Sequence, residues 1–234
     1  MNAYLTLYSI SPKPEDGFRY AYRMEGFHTM NSAIIRAVLF DFGGVIAEEG
    51  FYNGLINLAE KQALDARGMP EEGLNAVYDS GFVSGRGSES DFWQLMRKRT
   101  GLQGEDEYLK ERIMDGFQLR PAIINLVRKL RAQGYITAIL SDQTHWLREL
   151  DQFDHFFHEF DHVYISYELG KGKRDPSLFS DVANRLGIPP QQLLFIDDNE
   201  RYVQNAREMG WQAIQYIDAK QFSTDLEISL GKGL

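Results

Sequence analysis

Asp41, Asp142 and the pair Asp197-Asp198 each sit just past a short apolar run. Residues 37–40 lead into Asp41 and then Gly43-Gly44, residues 135–140 lead into Ser141-Asp142, and residues 193–196 lead into Asp197-Asp198. A fourth segment, Gly170-Lys171-Gly172-Lys173, follows a run that ends near Ile165. Short apolar runs bounded by turn residues read as buried strands. In an open parallel sheet, ligands bind beyond the carboxyl ends of the strands. These segments are therefore expected to bring carboxylates, a hydroxyl and a lysine to one sheet edge. Carboxylates crowded in that way repel one another, and a bound Mg²⁺, a hard cation that prefers oxygen, relieves the repulsion. The lysine can hold a nucleophilic aspartate ionised and bind an anionic group.

The elements that must position these groups follow from the rhythm of the chain. After Arg120, strands alternate with helices, the pattern of a parallel sheet covered on both faces. Pro121 opens a helix whose apolar positions are Ile123, Ile124, Val127 and Leu130, and Gly134 closes it before the strand at 135–140. Further strands are expected at 162–165, 193–196 and 211–217, with helices at 176–186 and 200–209. Residues 51–117 carry helical periodicity punctuated by glycines, and Ser88 with Asp91 three residues later forms a capping box. The expected fold is α/β: a Rossmann-like three-layer parallel-sheet core at 34–48 and 119–234, with a small all-helical insert at 49–118. Residues 1–33, rich in aromatics but without a sustained period, read as an N-terminal extension that the core would survive without, for instance in a chain starting at Met30.

Composition narrows the function. The 234 residues carry 25 basic and 34 acidic side chains, a net charge of −9. That balance opposes binding to nucleic acid or to an anionic membrane. No apolar run reaches the length of a membrane span and no secretory pattern opens the chain, so the expected address is cytoplasmic. Without cysteine there is no thiolate nucleophile and no Cys-based zinc site. A small-molecule enzyme is the expectation, and its oligomeric state is not legible.

Four ordered segments, Asp41-Phe42-Gly43-Gly44-Val45-Ile46, Ser141-Asp142, Lys173-Arg174-Asp175-Pro176 and Phe195-Ile196-Asp197-Asp198-Asn199, resemble the motifs of the haloacid dehalogenase-like hydrolase superfamily. The resemblance spans roughly residues 36 to 217, and the helical insert resembles that family's cap. It implies a Mg²⁺-dependent phosphatase of a small phosphorylated metabolite, sugar phosphates foremost, working through an aspartyl-phosphate. By the same mapping Asp41 is the nucleophile and Lys173 neutralises charge. Ser141, Asp142, Gly43 and Gly44 line the substrate, and Asp41, the Gly43 carbonyl, and Asp197 or Asp198 hold the metal, with Asp198 favoured as the direct ligand.

Three departures bear on this mapping. Phosphatases of the family usually carry a second aspartate two residues after the nucleophile, as general acid and base, and here that residue is Gly43. Glu48 and Glu49 are the nearest substitutes in sequence. Without one, a steep dependence on leaving-group acidity is expected, which Gly43→Asp would flatten unless the turn needs glycine for its backbone angles. Asp142 stands where asparagine is usual and Arg174 where proline is usual. The alternatives are a metal-independent 2-haloacid dehalogenase and a catalytically silent binding or regulatory protein on the same fold. Other residues have plainer readings. His155, His158 and His162 need not converge on a metal, and Phe92, Trp93 and Met96 read as core of the insert. His145 and Trp146 are candidates to face the site.

Overall fold

The computed structural model describes residues 34–231; the reading of residues 1–33, and of Met30 as a starting point, falls outside them. Five strands form one all-parallel sheet: β1 (Ala37–Phe40), β2 (Ile136–Ser141), β3 (His162–Ile165), β4 (Leu193–Asp197) and β5 (Gln212–Gln215), in the order β3-β2-β1-β4-β5. In register, Phe40 lies opposite both Ile139 and Ile196. Ser141 and Asp197, expected just beyond their strands, are the last residues within them, because they pair with Ile165 and Gln215 on the flanking strands.

Alternation along each strand divides the core in two. Val38, Phe40, Ile139, Leu194 and Ile196 face one way, toward α5 (Pro121–Ala132) and the later helices α6 (Trp146–Asp154) and α10 (Ala219–Leu230). Leu39, Leu140, Leu193 and Phe195 face the other way, with α8 (Ser177–Leu186) and α9 (Glu200–Glu208). Both faces are thus covered, as a parallel sheet requires. The one-turn helix α7 (Ser166–Leu169) follows β3.

Between β1 and α5 lies the helical insert: α1 (Gly50–Lys61), α2 (Met69–Asp79), α3 (Glu89–Thr100) and α4 (Asp106–Met114). Ser88 and Asp91 form the reciprocal capping box at the start of α3. Phe92, Trp93 and Met96 on that helix are fully buried, so they build the core of the insert. No helix among the described residues is long and apolar enough to cross a membrane.

The chain runs outward through β1, β2 and β3, then returns to place β4 on the other side of β1. That reversal is the topological switch point where a crevice opens beyond the strand ends. Asp41 leaves β1, and Asp197 ends β4 with Asp198 just beyond it, so the two acidic segments flank it.

Candidate active site

Asp41 is fixed from both sides. Its Oδ1 accepts from the Ser141 hydroxyl at 2.6 Å and from the Phe42 N–H at 2.7 Å, and its Oδ2 pairs with Lys173 Nζ at 2.8 Å. Lys173 is wholly buried and also reaches Asp197 Oδ2 at 2.5 Å. Burial alone would strip its proton, but the charges of Asp197 and Asp41 outweigh that and hold the ammonium well above its usual range. The other oxygen of Asp197 accepts from the Asn199 N–H at 2.8 Å, so this carboxylate is spent within the protein.

Asp198 differs. Burial, then the nearby charge of Asp41, push its carboxyl up to about 6. One oxygen from each of Asp41, Asp197 and Asp198 lies within 4.8 Å of the others, the only such cluster among the described residues. An all-oxygen set of this kind suits a hard divalent cation. Lys173 pairs with Asp41 and Asp197 but not with Asp198, so the repulsion between Asp198 and Asp41 is the one a cation would relieve. Gly44 makes room for this arrangement: its φ is +78°, and a Cβ on it would lie 2.2 Å from Asp198 Oδ2. Positive φ belongs to Gly44 and not to Gly43, so backbone angles are not what keeps a side chain off residue 43.

What crowds Gly43 is Glu49. A Cβ on Gly43 would come within 2.9 Å of Glu49 Oε2 and 3.5 Å of the Phe117 ring. Glu49 caps α1, accepting from the Tyr52 N–H at 3.2 Å, and burial pushes its carboxyl up to about 7. Glu48 points elsewhere, its two oxygens on the Arg120 guanidinium at 2.9 and 2.8 Å, and that hydrogen bonding keeps its carboxyl low.

Asp142 lies in the same cavity but is engaged by protein. It accepts from the Lys173 backbone N–H at 2.8 and 3.0 Å and from the Tyr78 hydroxyl on α2. Arg174 lies over the same Tyr78 ring at 4.0 Å and reaches Asn75 at 3.3 Å. The unusual residues of the second and third motifs therefore converge on one helix of the insert.

The cavity holds about 260 Å³, and Asp41, Ser141 and Lys173 are among its lining. Phe51, Tyr52, Tyr78, Trp146 and Tyr202 are among the residues that complete its walls. Tyr52, Tyr78 and Tyr202 had no sequence signal, because only the packing of α1, α2 and α9 around the switch point brings them there. Trp146 reaches the cavity, whereas His145 is not among its lining and lies beside Glu89 and Glu149. The three histidines stay apart: His155 ends α6, His158 lies by Glu159, and His162 stacks on Tyr164.

A doubly wound sheet thus places an aspartate, a buried lysine and an acidic pair at its switch point. The chain matches the family model for haloacid dehalogenase-like hydrolases over residues 35–210, and it belongs to that family. It is similar to (S)-2-haloacid dehalogenase 4A of Burkholderia cepacia, 26% identical over 136 residues, which cover 54% of this chain and 59% of that protein. It is also similar to flavin mononucleotide hydrolase 1 of Arabidopsis thaliana, 25% identical over 128 residues, covering 53% of this chain and 52% of the relative. The match thus spans little more than half the length of each relative. In fold the chain resembles a HAD family enzyme of Bacteroides thetaiotaomicron solved as a magnesium complex. The TM-score is 0.63 at 23% identity, covering 82% of this chain and 98% of the other.

Proposed function

We propose that the chain is a Mg²⁺-dependent phosphatase acting on a small phosphate monoester, with Asp41 as nucleophile. The observation that carries this reading is the charge around Asp41. Asp41, Glu49, Asp142 and Asp198 line the cavity together, and Lys173 is the one cation among its described lining residues, already shared between Asp41 and Asp197. A 2-haloacid brings a carboxylate of its own, and such a site offers it no free positive group. A phosphate monoester is accommodated once a divalent cation joins the oxygen cluster, which the donor set of Asp41 and Asp198, with the carbonyl of Gly43, would hold. When bound, Mg²⁺ supplies positive charge to the phosphoryl oxygens and offsets the carboxylates.

The protein's own groups account for the rest. Lys173 keeps Asp41 ionised, so an Asp41 oxygen attacks phosphorus, the leaving oxygen departs, and water then releases phosphate from the aspartyl-phosphate. Ser141, now on Asp41 Oδ1, is placed to turn its hydroxyl to a phosphoryl oxygen. Aromatic walls with the amides of Gln143 and Asn199 suit an uncharged, hydroxyl-bearing leaving group, so sugar phosphates head the substrate class.

The test is a screen of phosphate monoesters and 2-haloacids in Mg²⁺ and in chelator. Expected is phosphate release in Mg²⁺, lost in chelator and lowered on the order of 10⁴-fold or more in Asp41→Asn. Halide release in chelator, or no turnover of either class, would contradict the proposal.

A further inference from the structure

We propose that Glu49 is the general acid and base of the reaction, a carboxylate delivered by the insert in place of the side chain that Gly43 lacks. This rests on the phosphatase reading of Asp41. An aspartate at residue 43 would carry its carboxylate oxygens about 2.4 Å from its own Cβ, from standard bond lengths. Glu49 Oε2 lies 2.9 Å from that same Cβ position. The Glu49 carboxylate therefore fills the shell that such an aspartate would use, and it opens onto the cavity that Asp41 and Asp198 line.

Glu49 is held there by its place in the chain. As the N-cap of α1 it accepts from the Tyr52 N–H through Oε1, which leaves Oε2 as the end turned to Gly43. The Phe117 ring lies 3.5 Å from the same Cβ position. Glu48 cannot take the role, because both of its oxygens are bound to Arg120. Gly43 and Glu49 are thus two halves of one feature: a side chain at residue 43 would displace the carboxylate that replaces it.

In the first step the bond between Asp41 and phosphorus forms and the bond from phosphorus to the leaving oxygen breaks. The electron pair goes to that oxygen, and the Glu49 carboxyl gives it a proton. In the second step water attacks the same phosphorus, its proton passes to the Glu49 carboxylate, and the Asp41 oxygen leaves. Acid, nucleophile and water balance, and Glu49 ends protonated again.

The experiment is a rate series in Mg²⁺ over aryl phosphates of graded acidity and a primary alkyl phosphate, using the wild type, Glu49→Gln, and the double variant Glu49→Ala/Gly43→Asp. The wild type is expected to depend weakly on leaving-group acidity. Glu49→Gln should lose roughly 10²–10⁴-fold with the alkyl ester. Acidic aryl esters should still phosphorylate that variant, giving a burst of one phenol per chain because the second step lacks its base. The double variant should restore a shallow series; it lacks the Glu49 cap as well, so that return would not be expected if Glu49 served only the fold of α1. A steep wild-type series, or an unchanged slope with no burst in Glu49→Gln, overturns the assignment while leaving Asp41 as nucleophile. A wild type that releases phosphate from none of the esters overturns both.

Discussion

Five carboxylates, Asp41, Glu49, Asp142, Asp197 and Asp198, are gathered near the single ammonium of Lys173. Burial raises four of them: Asp142 and Asp197 are pushed up, as are Glu49, to about 7, and Asp198, to about 6. The unfolded chain releases these protons near the ordinary carboxylate values, whereas the native chain keeps them longer. For Glu49 and Asp198 the stability is therefore complete below about pH 4 and is lost as pH rises toward their folded values. A divalent cation on Asp198 reverses that penalty. Thermal unfolding at about pH 5 and about pH 8 should show Mg²⁺ raising Tm more at the higher pH. In Asp198→Asn the difference should vanish; an equal gain at both pH values would mean that the cation is not held by this carboxylate. Asp41, Lys173 and Asp198 were legible in sequence because each closes an apolar run or sits in a recognisable segment. The placement of Glu49 rather than Glu48 was not, since adjacent glutamates are separated only by how α1 is capped and by where Arg120 reaches.

The elements divide the work. Strands β1, β2 and β4 hold Asp41, Ser141 and Asp197 in register, and α2 closes over them through Tyr78. Burial pushes the Tyr78 hydroxyl well up, so it remains a donor to Asp142. Asp142 in turn holds the backbone of Lys173, which makes the contact a fastening between the insert and the lysine loop. Removing that donor in Tyr78→Phe should cost about 1–3 kcal/mol, at roughly 2–4 °C of Tm per kcal/mol for a chain of this size. It should also raise KM more than it lowers kcat, because the lining moves while Asp41 keeps its partners. Unchanged Tm and KM would show the contact to be incidental. The central strands were readable because a strand buried on both faces is a plain apolar run. Helices α6 and α10 were not, since one is amphipathic across a histidine-rich stretch and the other lies past the last recognisable segment. The convergence of Asp142 and Arg174 on Tyr78 joins residues far apart in sequence, and only the packed insert reveals it.

For the molecule as a whole, the reversal of strand order beside β1 brings Asp41 and Asp197 to neighbouring strand ends, and the family match spans the chain from β1 through α9. With a net charge of −9, the phosphate monoester proposed as substrate would be drawn by the site alone, which again places weight on a bound cation. The relatives include both a haloacid dehalogenase and a flavin mononucleotide hydrolase, so membership does not choose between carbon and phosphorus as the atom attacked. The phosphorylated state of Asp41 does. The direct measurement is rapid acid quench during turnover of an aryl phosphate in Mg²⁺, followed by mass analysis of the peptide that carries Asp41. Expected is one added phosphoryl group on Asp41, absent in chelator and in Asp41→Asn. A chain that turns over while carrying no phosphoryl group, or that carries it on another residue, would contradict the assignment of Asp41 as the nucleophile.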